Sequence, residues 1–375
     1  MALRSWVLLA TAAVVPLMLA TACSGSGNAG GPAARAAAAS PGGGIPSGPA
    51  PGAQSLSEAG STLLAPLMNL WVQAYEQQYP DVHITTAPIG SGKGIAAASA
   101  GKVDIGASDA FLSSGQTVQD PRLLNIPLAV SAQQVIYNLP GVPNLKLSGR
   151  VLAEMYQGTI TKWNDSRIHA LNPGVRLPPT PVVPVHRSDH SGDTFLFTSY
   201  LSAHDIVWSK STSYGTSVAW PAPIAGAPTA TSNSGMVQVC KATRGCVAYI
   251  GIDYSQGATA DGLETAMLQN ALNQWVQPTP ASIDTAVGTF VSSTPPDETI
   301  SMINGPASGG YPIVNYEYAI VSTTQPTPAK ARDIKAFLHW AITAPAAASR
   351  LSQVQFQPLP KPIVSLSDAQ IAKIG

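Results

Sequence analysis

Beyond about residue 55 the apolar positions alternate between helical spacing and short unbroken runs. Leu63, Leu67, Leu70, Trp71, Ala74 and Tyr75 recur with a helical period, and Ser61 or Thr62 is a natural N-cap for that helix. A β-rich run, Val82 to Pro88, comes next. The glycine-rich stretch Ile89 to Gly94 then turns into a second helix over Ile95 to Ala100, and Val103 to Asp109 reads as a short buried strand ending in a carboxylate. Further strands are expected at Leu128–Leu139, Pro181–Val185, Val247–Ile252 and Ile313–Val321. Helices are expected at Val151–Gln157, capped by Ser148 and closed by Gly158, from Ser191-Gly192 onward, from Gly235, and over Ala329–Ile342, with an amphipathic segment at Ala281–Val291. This alternation predicts α/β layers with a parallel or mixed sheet. The β-rich segments near 130–140 and 311–321 are candidates for strands crossing between two lobes.

The first 55 residues follow another pattern. Arg4 precedes an apolar run from Trp6 to Ala20, and Ala20-Thr21-Ala22-Cys23 closes it. That run is short for a membrane span and ends in small residues, as a signal peptide does. Residues 1–22 are therefore read as a signal peptide, and the cysteine behind it resembles a bacterial lipobox with Cys23 as the lipidated mature N-terminus. Residues 24–54 are almost all Gly, Ala, Ser and Pro with Arg35 the one charge, which predicts a flexible tether. Among the three cysteines, Cys240 and Cys246 remain, and in an exported chain two cysteines closing a short loop read as a structural disulfide.

Charge narrows the class of partner. With 20 basic and 20 acidic residues in 375, and 11% charged overall, the chain lacks the basic excess that phosphate-backbone binders need, so nucleic acid is not expected. A bound anion would have to be held by local dipoles. The stretch Val185–Ser202, reading VHRSDHSGDTFLFTSYLS, offers such dipoles. A helix starting at Ser191-Gly192 presents free backbone N–H groups, and Arg187 is close enough to fork onto the same anion. Other chemistry fits poorly. GSGKG at Gly90–Gly94 has glycine where a nucleotide P-loop needs the Ser or Thr that holds magnesium. Ser191 and its histidine and aspartate neighbours are too close in sequence for a catalytic triad, and no G-x-S-x-G elbow exists. His186, Asp189 and His190 have metal-chelating spacing only on a helix, whereas their context is a strand and turn. Asp109 is either a strand-end turn residue or an acceptor for a proton carried by a ligand. Asp193 is either a first-turn acid placed for the helix dipole or a ligand contact.

The strings GSTLLAPL, GSGKG, DIGASDAFLS, HRSDHSGDTFLFTSYLS, NYEYAI and FLHWA resemble those of the bacterial PstS family, the substrate-binding proteins of phosphate ABC transporters. The lipobox, tether and cysteine pair resemble its mycobacterial-type lipoprotein branch. The resemblance implies a two-lobed Venus-flytrap fold of the periplasmic-binding-protein type II class, with two crossing strands as hinge. It places lobe I at 55–135 and 315–375 and lobe II at 136–314. It also implies a phosphate site at Thr62, Leu63, Ser91, Asp109, Arg187, Ser191, Gly192 and Asp193, with Asp189 orienting Arg187. Asp193 stands where many relatives carry threonine, and His190 where glycine is usual. No cofactor, metal or catalysis is implied. The expected partners are inorganic phosphate, the permease subunits, and the outer face of the cytoplasmic membrane through the lipid anchor, with the protein acting as a monomer. Alternatives are another oxyanion such as sulfate or molybdate, an envelope phosphatase, or a purely adhesive lipoprotein.

Overall fold

The computed structural model describes residues 44–375. The segment read as a signal peptide, the expected lipidation site Cys23 and most of the expected tether lie outside the described residues. The tether's last residues pack on the body. Ala50 is buried and its N–H donates to Asp333 Oδ1 at 2.7 Å, and Arg332 Nε reaches the Gly48 carbonyl at 3.1 Å. Composition alone does not reveal that these backbone groups find partners on a distant helix.

The elements that position the site follow in chain order. β1 (Gln54–Gly60), α1 (Ala65–Gln78), β2 (Val82–Ala87), α2 (Ser91–Ser99) and β3 (Ile105–Ser108) form a parallel unit in which β1 pairs with both β2 and β3. β4 (Leu123–Tyr137) is buried along all 15 residues. The helix α3 (Gly149–Tyr156) has Ser148 as its cap, as expected. Then come β5 (Val183–Pro184), β6 (His186–Arg187), α4 (Gly192–His204), β7 (Thr229–Ala230), α5 (Asn233–Ala242), β8 (Cys246–Gly251), β9 (Glu264–Thr265), β10 (Val314–Ser322) and α6 (Pro328–Thr343). The main sheet has the order β2-β1-β3-β10-β4-β8-β5, with β9 also pairing to β4. The fold is mixed α/β, as the alternation predicts.

β4 ties the sheet together. Its Leu123–Ala132 portion pairs antiparallel with β10, and Gln133–Tyr137 pairs antiparallel with β8. The two segments expected to cross are therefore hydrogen-bonded neighbours. Cys240, in the last turn of α5, and Cys246, at the start of β8, are joined by a disulfide.

Several boundaries differ from the sequence expectation, and two of them bear on the site. α2 begins at Ser91 and takes the glycines into the helix, where a Cβ at Gly94 would lie 2.6 Å from the Ala59 carbonyl oxygen. That glycine is there for close helix–sheet packing. α1 begins at Ala65, and Ser61 satisfies its approach from upstream by accepting the Leu63 and Leu64 N–H groups at 3.0 and 2.9 Å.

Candidate functional site

Asp109 directly follows β3, the α1 approach carries Ser61 and Thr62, and α2 starts with Ser91. Together they make one wall of the site. The opposite wall is the turn from β6 into α4, backed by the start of α5. β6 lies parallel to β7, with Arg187 beside Ala230, and the Arg187 N–H donates to Tyr249 Oη at 3.0 Å. These bonds fix the backbone from which the guanidinium projects. The Ser191 N–H then donates to the Asp189 carbonyl at 3.0 Å, closing a tight turn that sets the first N–H groups of α4 toward the facing wall.

Arg187 is fully enclosed, and its donors are distributed. Nε and Nη2 form a fork onto Asp189, at 2.7 and 2.6 Å, while Nη1 reaches Asp193 Oδ2 at 2.8 Å. Nη2 also donates to Thr62 Oγ1 on the facing wall at 3.2 Å. Burial alone would weaken the guanidinium's hold on its proton, but Asp189 and Asp193 more than offset this and the group stays charged. Asp193 Oδ2 accepts in addition from Asn233 Nδ2 at 2.9 Å, and Gln133 Nε2 reaches the Asp193 carbonyl at 2.6 Å. Burial raises the Asp193 pKa, with Arg187, Asn233 and Gln133 opposing it.

Asp109 has a different environment. Its Oδ1 accepts from the Ser61 hydroxyl, its backbone N–H donates to Ser91 Oγ at 3.2 Å, and its Oδ2 has no hydrogen-bond partner. Burial, then the Asp193 carboxylate, push its pKa up to about 7, against the pull of Ser61, Glu317 and Arg187. The walls touch. A Cβ on Gly192 would collide with Asp109 Oδ2 and come within 2.5 Å of Ser91 Oγ, so only glycine allows this approach. The Gly92 N–H donates across to the His190 carbonyl at 2.9 Å. His190 itself is exposed and its backbone stays outside the left-handed region, so the turn does not depend on a glycine there.

Thr62, Ser91, Asp109, Arg187, Asp189, Ser191, Gly192 and Asp193 thus meet in one cluster, buried except for the half-buried Asp189. Leu63 is buried beside it, with its N–H engaged by Ser61 Oγ and its side chain against Gly251. Sequence reasoning missed Asn233, Gln133, Ser61, Glu317 and Asp253. Asn233 Nδ2 bridges Thr62 Oγ1, at 3.2 Å, and Asp193, while its Oδ1 accepts from the Gly251 N–H at 3.0 Å. Three of these residues left a visible signal, a polar side chain inside an apolar strand for Gln133 and Glu317, and an amide in the first turn of a helix for Asn233. The two carboxylate oxygens of Asp253, on the turn after β8, are also buried without partners, and burial with nearby Asp193 and Asp109 raises its pKa well above the ordinary range.

Residues 46–345 match the PBP superfamily domain. The phosphate-binding protein PstS of Xylella fastidiosa is 31% identical over 316 residues, 84% of this chain and 84% of the relative. The phosphate-binding protein PstS 3 of Mycobacterium leprae is 30% identical over 300 residues, covering 76% and 78%. Among solved structures, a phosphate binding protein from Stenotrophomonas maltophilia superposes with a TM-score of 0.63 at 18% identity, covering 84% of this chain and 93% of that one. That likeness concerns the fold.

Proposed function

This chain belongs to the PBP superfamily and, within it, to the PstS phosphate-binding proteins, and from that premise we propose that it binds inorganic phosphate outside the cytoplasmic membrane and delivers it to an ABC-transporter permease. The ligand sits between the Asp109 wall and the Arg187 wall. Arg187 and the N-terminal N–H groups of α4 at Ser191 and Gly192 bind its oxygens, with the hydroxyls of Thr62, Ser91 and Ser191, and Asp189 orients the guanidinium. Asp109 accepts a hydrogen bond from the protonated anion, and Asp193 provides a second acidic contact. Residues 55–135 and 315–375 form one lobe and 136–314 the other, with β4 and β10 as the hinge. The walls are in contact at Gly192, so ligand entry requires the lobes to part and rejoin. The protein acts as a monomer, held by a lipid on Cys23 at the outer face of the membrane, and performs no covalent chemistry.

The carrying observation is the acid balance of the site. Asp109, Asp189, Asp193, Asp253 and Glu317 lie in or directly behind it, against the single Arg187 guanidinium. Such a site repels an anion unless that anion brings a proton that a carboxylate can accept in a hydrogen bond. Phosphate at neutral pH retains one or two protons and sulfate none, so the arrangement selects phosphate by leaving a carboxylate unpaired against sulfate. Sites that demand a ligand hydrogen bond discriminate by roughly 10⁴ to 10⁵.

Calorimetry of ligand-stripped protein with phosphate and with sulfate is the test, on the native chain and on Asp109→Asn. The expected result is stoichiometric phosphate binding that tightens from about pH 8 to about pH 6, and a phosphate-to-sulfate preference that shrinks in the variant. Equal affinity for both anions in the native chain overturns the reading, and so does turnover of a phosphate ester.

A further inference from the structure

Directly behind Asp109 lies a second acid that the ligand does not reach. β3 and β10 are antiparallel, with Ser108 opposite Tyr318 and Ala107 opposite Ala319, so the next step of the ladder sets Asp109 opposite Glu317. The ladder between β10 and β4 shifts register between Glu317 and Tyr318, an irregularity of the kind that re-aims a side chain beside a functional site. Glu317 is completely buried. Its Oε1 accepts from Ser131 Oγ at 2.5 Å and from Asn315 Nδ2 at 2.9 Å. Asn315 Nδ2 also reaches the Asp109 carbonyl at 3.4 Å, tying the two acids to one amide. Glu317 Oε2 and Asp109 Oδ2 are both buried without a hydrogen-bond partner, and each acid acts on the other's ionisation.

Two facing buried carboxyl groups cannot both ionise without severe repulsion, so the pair holds a proton. The surrounding groups decide where it rests. Asp109 is approached by the Ser61 hydroxyl and by the Arg187 guanidinium, which favour its ionised form, and by Asp193 and Asp253, which oppose it. Glu317 is approached by Asp109 and by the un-ionised Tyr318 phenol, with no cation beside it.

We infer that Glu317 is a positioning residue for anion recognition, a neutral acid whose Oε2–H donates to Asp109 and holds it as an ionised acceptor facing the ligand. The device has a chemical point. A lysine or arginine behind Asp109 would keep it ionised equally well, but would attract every oxyanion alike. A neutral donor keeps Asp109 ionised without adding positive charge, so the demand for a ligand proton stays undiluted. It also has a cost at high pH, since loss of the Glu317 proton sets a second negative charge behind the acceptor and repels the anion.

This inference rests on Asp109 as the acceptor of the ligand's proton. Phosphate and sulfate affinities are measured by calorimetry between pH 6 and pH 10 on the full chain and on Glu317→Gln and Glu317→Met, with thermal melts as a folding control. Glu317→Gln, which keeps a donor and cannot ionise, is expected to match native phosphate affinity near neutrality and to lose less of it toward pH 10. Glu317→Met is expected to bind phosphate about tenfold or more weakly and with a smaller preference over sulfate. A Gln variant as impaired as the Met variant, or one with the native alkaline profile, overturns the proposal. If Glu317→Met does not fold, the alkaline profile of Glu317→Gln decides alone. A native chain that fails to bind phosphate would instead overturn the functional reading, and the native titration reveals that separately.

Discussion

The two walls of the cleft hold their acids in opposite ways. On the α4 wall, Asp189 and Asp193 share one buried guanidinium, and amide groups from Asn233 and Gln133 complete the set. On the β3 wall, Asp109 has a hydroxyl and another acid for company, and one of its oxygens has no hydrogen-bond partner. A carboxylate set on a buried guanidinium has its charge offset by that cation, whereas two buried carboxyl groups side by side hold a proton between them. The first wall therefore supplies positive charge and geometry, and the second reads whether the ligand carries a proton. A cation shifted to the β3 wall would strengthen binding of all oxyanions and weaken the distinction between them.

The strongest way to break that division is at its charged end. Arg187→Lys keeps a positive charge but cannot fork onto Asp189 while reaching Asp193 and Thr62. Phosphate affinity should fall by about 2–5 kcal/mol, roughly 30- to 4,000-fold, and the melting temperature should drop as both aspartates lose partners. Calorimetry and a thermal melt measure the two effects. Affinity within a factor of about three of native would show that α4's backbone carries the anion by itself.

Much of the α4 wall was legible in the sequence because its members sit within seven residues of one another, Arg187 to Asp193, just ahead of a helical pattern. A strand feeding a turn and a helix start is a local event, and local chemistry announces it. The remaining members come together only through tertiary contacts. Asn233 lies 40 residues beyond Asp193, and Gln133 reaches it because β4 runs the width of the sheet. Glu317 meets Asp109 through the register of β3 on β10, which no spacing rule reveals. β1 escaped notice for a similar reason. Its QSLSEAG has little hydrophobic pattern, and it is a strand because β2 and β3 pair with it on both sides. Gly92 and Gly94, expected in a turn ahead of α2, lie inside the helix, and Gly94 serves the packing of helix on sheet.

An intermediate effect is expected where the walls are joined by a neutral group. Asn233 Nδ2 donates to Thr62 Oγ1 and to Asp193 Oδ2, so Asn233→Ala removes a bridge between the walls and one of the groups that keep Asp193 ionised. Phosphate binding should weaken by about tenfold. It should also become more pH-dependent, because without the Asn233 amide burial raises the Asp193 pKa further. An unchanged pH profile with weakened binding would mean that Asn233 only closes the cleft and does not tune Asp193.

The smallest effect concerns the ligand-free protein, and it separates the cleft from the rest of the fold. Asp109 is pushed up to about 7, and two acids away from the cleft, Glu58 on β1 and Glu298 near the Ser367 hydroxyl, are each pushed up to about 8, in all three cases chiefly by burial. In the unfolded chain these groups titrate near about 4. Between that value and their folded values the native state binds more protons than the unfolded state. Stability should be greatest below about pH 4 as far as these groups are concerned, fall as pH rises through 7 and 8, and then level off. Asp109→Asn removes the share that ends near pH 7, and Glu58→Gln removes one that ends near pH 8. Melting temperatures from pH 4.5 to pH 9 resolve the two. A slope left intact by Asp109→Asn and reduced by Glu58→Gln would place the proton-dependent part of the stability in the β1 core, and the cleft would then act as a proton reader without being a reservoir of strain.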